Sequence, residues 1–256
     1  MKNPKRILIT GANSGIGKAL ALAYAAEGVR LFLTARDHQR LEEVRELCIS
    51  KGSLVITKSI DVKNKKELRD WILEIGKNYG FDLVVAGAGI SAGTLGGNES
   101  VNQALEIFEV NVSAVINTVN SAIEVMEKRN SGQIAIISSL AGFNGLPSCP
   151  SYSASKAAVR IYGEALRISL LKHKIGVSVI CPGYVKTPMT DVNEFPMPFL
   201  ISADKAAKII KNGLAKNKAR ISFPLPLYLI VRLMAILPSF IINPILAKMP
   251  GKKSFK

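Results

Sequence analysis

The chain has 256 residues, 48% hydrophobic and 21% charged, enough to bury a sizeable core and better suited to one large α/β domain than to two small ones. Three scattered cysteines (Cys48, Cys149, Cys181) and two histidines (His38, His173) argue against a disulfide scaffold or a metal centre. The formal net charge of +15 is uneven, because residues 201–256 hold eleven Lys/Arg against Asp204 alone, +10 of the total; such a block suits an anionic membrane surface, nucleic acid or simply a solvated basic face.

Residues 1–6 lead straight into an apolar run and leave no room for a cleavable secretion signal, so the active domain is expected in the cytosol. Apolar, β-branched-rich runs then fall at 6–10, 30–34, 54–58, 83–86, 133–138, 176–181 and 219–223. Helix-period segments lie between them, at 15–27, 39–50, 65–78, 103–129, 151–172 and 204–216. This alternation predicts an α/β fold, a doubly wound Rossmann-type parallel sheet of about seven strands with helices on both faces. No internal repeat or low-complexity linker interrupts it.

After the first strand comes Thr10-Gly11-x-x-x-Gly15-x-Gly17, opening the first helix. Gly11 permits a tight turn, Gly15 lets backbone approach a pyrophosphate and Gly17 allows close helix packing, while the helix N-terminus offers free N–H groups. Gly11, Asn13, Ser14, Gly15, Ile16 and Gly17 are therefore the expected contacts of a dinucleotide. At the end of the second strand stand Ala35, Arg36 and Asp37. A carboxylate at the strand end would hold the 2′-hydroxyl of NAD, whereas a guanidinium accommodates the 2′-phosphate of NADP. Arg36 favours NADP(H) over NAD(H), unless Asp37 pairs with it. Asp61 and Val62 close the third strand, where a carboxylate could accept from the adenine amine or could instead cap a turn.

Farther on stand Ser139 and the unit Tyr152-x-x-x-Lys156. A free phenol with pKa near 10 is a poor base at neutral pH. Lys156, one helical turn on, shares a face with Tyr152, and its charge is expected to favour the phenolate while its amine reaches the cofactor ribose. Ser139 leaves the fifth strand at its C-terminal end, where its hydroxyl can polarise a carbonyl.

Taken in order, the Thr10 to Gly17 loop, Ala88-Gly89, Asn111, Ser139 with Tyr152 and Lys156, and Pro182-Gly183 followed by Thr187 resemble the short-chain dehydrogenase/reductase family of compact single-domain type. The resemblance runs from Lys5 to about Phe223. It implies hydride transfer between a nicotinamide and a carbonyl or alcohol carbon, a homodimer or homotetramer, and cofactor contacts at Ala88, Gly89, Tyr152, Lys156, Pro182, Gly183, Val185 and Thr187. It also implies that Asn111 holds a water linking Lys156 to solvent. At one place the pattern lapses: the family usually has two asparagines bracing the sheet before Ala88-Gly89, and this chain has Ala86 and Gly87, so the resemblance does not carry local order there.

Apolar stretches at 140–150 and 184–200 should form the lips of the site, with Phe195 to Leu200 serving as a pocket wall or lid, or merely packing on the body. Beyond Phe223 the family pattern ends. Residues 224–247 are mostly apolar but carry Arg232 and are broken by Pro226, Pro238 and Pro244, so no spanning helix is expected. An interfacial anchor fits: Tyr228, Leu229, Leu233, Ile236, Leu237, Phe240 and Ile241 would enter a bilayer boundary while Arg232, Lys248, Lys252 and Lys253 meet headgroups. A hairpin capping the pocket or buried in an oligomer interface fits equally well.

The sequence thus reads as residues 1–223, a dinucleotide-binding and catalytic domain, and 224–256, an apolar and basic extension. The expected activity is NADP(H)-dependent interconversion of a hydrophobic, lipid-like ketone and its secondary alcohol, in the cytoplasm and peripheral on the inner face of a membrane. The alternative is a dinucleotide-binding sensor or membrane-docking module without turnover. Nucleic-acid binding ranks last, since no aromatics interleave the tail lysines.

Overall fold

The computed structural model describes residues 3–94 and 97–248. Seven apolar segments form β1 (Arg6–Thr10), β2 (Arg30–Ala35), β3 (Leu54–Ser59), β4 (Leu83–Ala86), β5 (Gly132–Ile137), β6 (Ile175–Pro182) and β9 (Arg220–Phe223). They pair in parallel in the order β3-β2-β1-β4-β5-β6-β9. Two further short strands, β7 (Val185–Lys186) and β8 (Ile201–Ser202), make a separate parallel pair.

Successive side chains on a strand point to opposite faces, so each central strand feeds two cores. Ile7, Ile9, Leu83 and Val85 enter one, closed by α1 (Gly15–Tyr24), α2 (His38–Ile49) and α8 (Ala203–Ala215). Leu8, Val84 and Ala86 enter the other, closed by α3 (Lys65–Tyr79), α5 (Ala114–Glu127) and α6 (Pro150–Ser169). Burial on both faces is why these strands read as continuous apolar runs rather than alternating ones. Because the chain winds outward in opposite directions from β1 and β4, a crevice opens beyond their C-terminal ends.

Helix boundaries follow local chemistry. Asp37 starts α2 by accepting from Arg40 N at 3.0 Å, and Asn64 starts α3 by accepting from Glu67 N at 3.3 Å. The single helix expected over 103–129 is interrupted: α4 (Val101–Phe108) passes into one π turn, Glu109–Ser113, before α5. The wider turn accompanies the buried Asn111 amide, which bonds outside its own helix; such turns recur at functional sites.

At residues 86–87, order is kept by another device. Thr10 Oγ1 accepts from Gly87 N at 3.1 Å and from Ala88 N at 3.3 Å. A Cβ on Gly87 would lie 2.9 Å from Thr10 O, so the two strand ends close too tightly for a side chain there. The Thr10 hydroxyl thus fastens the β1 and β4 ends.

Past β9, two short helices follow, α9 (Leu225–Met234) and α10 (Ser239–Leu246). Pro226 falls in the first turn of α9, where a missing N–H is harmless. Leu227, Tyr228 and Val231 pack on Leu140, Val179 and Cys181, so Tyr228, expected among the bilayer-facing residues, instead points into the protein. Lys252 and Lys253 lie outside the described residues. No helix among the described residues is long and apolar enough to cross a membrane.

Replacing Thr10 by Val keeps the shape but strands the two N–H groups it serves. Urea unfolding of Thr10→Val should show a loss of about 1–3 kcal/mol; an unchanged midpoint would mean that the hydroxyl is not what holds these strand ends.

Candidate active site

The crevice at the end of β1 is shaped by glycines. Gly11 has φ +70°, and a Cβ there would meet the Ala88 Cα at 2.8 Å. Gly15, at φ +52°, faces the Thr187 methyl group, and a Cβ on Gly17 would sit 2.1 Å from Gly11 O. Ser14 precedes α1 without a capping side-chain bond, so the first N–H groups of that helix are left to an anion.

Two adjoining clefts meet here. One, of about 190 Å³, is lined by Gly11, Asn13, Ser14, Gly15, Ile16, Gly17, Gly89, Ser139, Tyr152, Lys156, Pro182, Gly183, Val185 and Thr187. The other, of about 420 Å³, shares Gly11, Asn13, Ser14 and Gly89 and continues past Ala35, Arg36, Asp37, Asp61, Val62 and Ala88. Every residue expected to touch a dinucleotide therefore lines one connected crevice. The steric tightness at Gly11 and Gly17 fits backbone rather than side chains against a diphosphate.

At its far end Arg36 is exposed. Asp37 does not pair with it: its carboxylate caps α2 and lies 3.4 Å from Arg40 Nε. Asp61 does cap a turn, accepting from Lys63 N at 3.0 Å, while still lining the cleft.

The reacting groups converge where β5 ends and α6 begins. Ser139 begins a 3-10 turn over Leu140–Gly142, and its Oγ accepts from Ala141 N at 3.1 Å. The same hydroxyl hydrogen-bonds the Tyr152 phenol. Lys156 Nζ lies 5.7 Å from the centre of the Tyr152 ring and donates to Ile137 O at 3.1 Å. Asn111 does not line the crevice. Its Oδ1 accepts from Ile90 N at 2.8 Å, and its Nδ2 donates to Ile90 O at 2.9 Å and Ser155 Oγ at 3.1 Å. It thereby braces the segment at Gly89, where an added Cβ would come within 3.2 Å of Asn111 Oδ1 and 3.3 Å of Lys156 Nζ.

Burial dominates the electrostatics. It pushes the Tyr152 phenol up to about 12, against the opposing effect of the Ser139 hydrogen bond, and draws the Lys156 ammonium down to about 8. The surroundings do not tilt Tyr152 toward phenolate as expected: removal from water disfavours the anion more than the Ser139 hydrogen bond favours it. At neutral pH the site holds a neutral phenol beside a mostly charged amine.

Within the expected 184–200 lip, Pro188 and Met189 of α7 (Pro188–Asp191) line both clefts, while Phe195 rests edge-on against Tyr184 at 6.2 Å and Phe199 and Leu200 are exposed. A residue the sequence did not reveal completes the site. The N-cap Cys149 gives α6 no side-chain cap. Glu99 supplies one from another segment: Oε2 accepts from Ser151 N at 3.0 Å and Oε1 from Ser151 Oγ at 2.5 Å. Gln103 Nε2 steadies that carboxylate at 3.0 Å. Glu99 and Ser151 stand 52 residues apart, so no local pattern could have linked them.

A dinucleotide crevice that runs into a Ser, Tyr and Lys cluster defines the class as a nicotinamide-dependent oxidoreductase. The short chain dehydrogenase family matches residues 5–195. An "uncharacterized oxidoreductase" of Myxococcus xanthus is 35% identical over 233 residues, covering 91% of this chain and 92% of that protein. The 11-beta-hydroxysteroid dehydrogenase 1A of Arabidopsis thaliana is 32% identical over 241 residues, covering 86% of this chain and 68% of the relative. Among solved structures, an actinorhodin polyketide ketoreductase variant with NADPH matches with TM-score 0.77 at 25% identity, covering 88% of this chain and 97% of its own. The chain belongs to the short-chain dehydrogenase/reductase family, NAD(P)-dependent oxidoreductases acting on CH–OH and C=O groups of small molecules.

Because Glu99 caps the helix that carries Tyr152 and Lys156, Glu99→Ala should lower stability by about 1–2 kcal/mol in denaturant titrations. Glu99→Gln, which keeps one acceptor oxygen, should recover part of the loss; identical losses would show that capping is not the carboxylate's contribution.

Proposed function

We propose that the protein is an NADP(H)-dependent reductase of hydrophobic, lipid-like ketones, interconverting them with their secondary alcohols. The observation that carries this reading is geometric: the Tyr152 phenol stands beside Ser139, its ring centre 5.7 Å from Lys156 Nζ, in the cleft that the glycine turn lines. A neutral phenol is a proton donor, which is what ketone reduction needs.

When bound, the nicotinamide supplies the hydride to the carbonyl carbon. Ser139 donates a hydrogen bond to the carbonyl oxygen and stabilises charge as it develops there. Tyr152 then delivers its proton to that oxygen. Lys156 uses one N–H on Ile137 O and has two more for the cofactor ribose and the Tyr152 proton supply. Asn111 keeps Gly89 and Lys156 in register and supports the proton relay through a water.

NADP(H) is supported by Arg36, which lines the crevice unpaired with Asp37, and by the NADPH bound to the ketoreductase relative. An apolar substrate is supported by Pro188 and Met189 at the clefts and by the hydroxysteroid in the name of the Arabidopsis relative. Residues 1–223 are proposed as the unit that binds cofactor and reacts, and 224–256 as an extension that holds it against an anionic membrane surface, on the cytoplasmic side. Ile161 and Ile168, exposed on α6 at 54% and 73%, suit contact with a second copy in a homodimer or homotetramer.

Steady-state NADPH consumption with long-chain ketones tests the reading, and Tyr152→Phe should abolish it while NADPH still binds; retained turnover would remove Tyr152 from the chemistry. Loss of a charge-assisted contact in Arg36→Ala should raise the KM for NADPH about 10-fold or more and leave that for NADH nearly unchanged. The pH dependence has a defined sign. Lys156 is charged below about 8 and Tyr152 protonated below about 12, so ketone reduction should be flat near neutrality and fall above about pH 8. A rate that climbed between pH 8 and 10 would point to the phenolate instead.

A further inference from the structure

We propose that the outer faces of α9 and α10 dock on an anionic lipid surface and that a headgroup phosphate is received by Arg232, the exposed member of the arginines gathered on Phe143. This deepens the role proposed for the extension, and its deciding readout, vesicle binding, needs no turnover.

The two helices are anchored on one side and bare on the other. On α9, Leu225, Leu229 and Leu233 recur every fourth residue and are 62%, 57% and 58% exposed, with Ile236 following at 73%. The opposite side of α9 is already held by the core, so these side chains cannot turn inward. On α10, Ile242 and Leu246 are buried while Phe240 stands 77% exposed and Ile245 51%. Exposed apolar side chains in this number on two successive helices mark an interaction face. Helices of 10 and 8 residues are too short to span a bilayer, and an amphipathic helix of this kind lies along the interface instead.

Charge identifies the partner. No Asp or Glu follows Asp204. The Phe143 ring collects three guanidiniums, Arg160 at 4.6 Å, Arg220 at 5.5 Å and Arg232 at 5.9 Å. Glu164 is the carboxylate of this group, and it pairs with Arg160 and Arg220. Arg232 is exposed, sits beside the leucine stripe and has no salt-bridge partner among the described residues. Two positive charges in excess next to an apolar face match a lipid headgroup above its acyl chains. A second copy fits less well, because a two-fold contact would set this basic cluster against itself. Nucleic acid would leave the aliphatic stripe in water.

The docking face is also one helix away from the chemistry. Leu227, on the inner side of α9, packs beside Leu140, the residue after Ser139, and a Cβ on Gly183 would touch its Cδ2 at 2.7 Å.

The test is co-sedimentation of the full chain with phosphatidylcholine vesicles, with and without phosphatidylglycerol, across a salt series. Leu229→Glu with Leu233→Glu, and separately Arg232→Glu, change exposed positions, and circular dichroism and reduction of a water-soluble ketone report whether each variant is intact. The wild type should bind the anionic vesicles and release them as salt rises, and each variant should bind about 10-fold or more weakly with unchanged soluble-substrate rates. Failure of the wild type to sediment with anionic vesicles overturns the proposal. Equal binding to both vesicle types, unaffected by Arg232→Glu, overturns the headgroup site. A dimer that the leucine variants split, without vesicle binding, assigns the face to a second copy. Failure of the ketone assay in the wild type would count against the reductase reading alone, since sedimentation needs no catalysis.

Discussion

The site depends on a clasp between the end of β5 and the middle of α6. Ser138 Oγ donates to Lys156 O at 2.7 Å, and Lys156 Nζ returns a bond to Ile137 O at 3.1 Å. Gly142 adds a steric condition, because a Cβ there would strike the Lys156 carbonyl carbon at 2.7 Å. A buried neutral hydrogen bond contributes about 1 kcal/mol and one from a charged donor about 1.5–3 kcal/mol, modest sums beside the cost of burying an ammonium. That cost appears as the lowered pKa of Lys156. The fold thus spends stability to keep a cation in the protein interior, where its field is least screened and acts most strongly on whatever occupies the crevice.

The same burial sets the character of Tyr152. From sequence, the lysine one turn away looked like the main influence on the phenol. In the structure desolvation outweighs it, and the acid form prevails. Two groups with ordinary values near 10 are pushed apart, one up and one down, by a single environment that penalises both charges. Separation of that kind is how neighbouring titratable groups acquire different roles.

Much of the architecture was legible because parallel strands buried on both faces leave continuous apolar runs. β1 and β4 fall where those runs fall, and the glycine loop, Ser139, Tyr152 and Lys156 come together as their order implied. What escaped notice is non-local or very short. The two-residue strands β7 and β8 have too little length to show a period. The π turn at Asn111 continues a helical apolar pattern and differs through bonds to the distant Ile90 and Ser155. Thr10 fastens the Gly87 and Ala88 amides from a different strand, and Glu99 caps a helix that begins far along the chain. Tyr228 was placed outside because composition alone cannot tell which side of α9 meets Leu140 and Cys181.

The cap supplied by Glu99 also bears on the order of assembly. The first turn of α6 is finished only when a segment 52 residues upstream has settled against it, and the strand that carries Ser139 is flanked by β4 and by the much later β6. Contacts of such long sequence separation form late, after their loop-closure entropy has been met. Because the crevice is lined by the glycine turn together with Ser139, Tyr152, Lys156, Pro182, Gly183, Val185 and Thr187, nucleotide binding and reaction both require these distant segments to have come together.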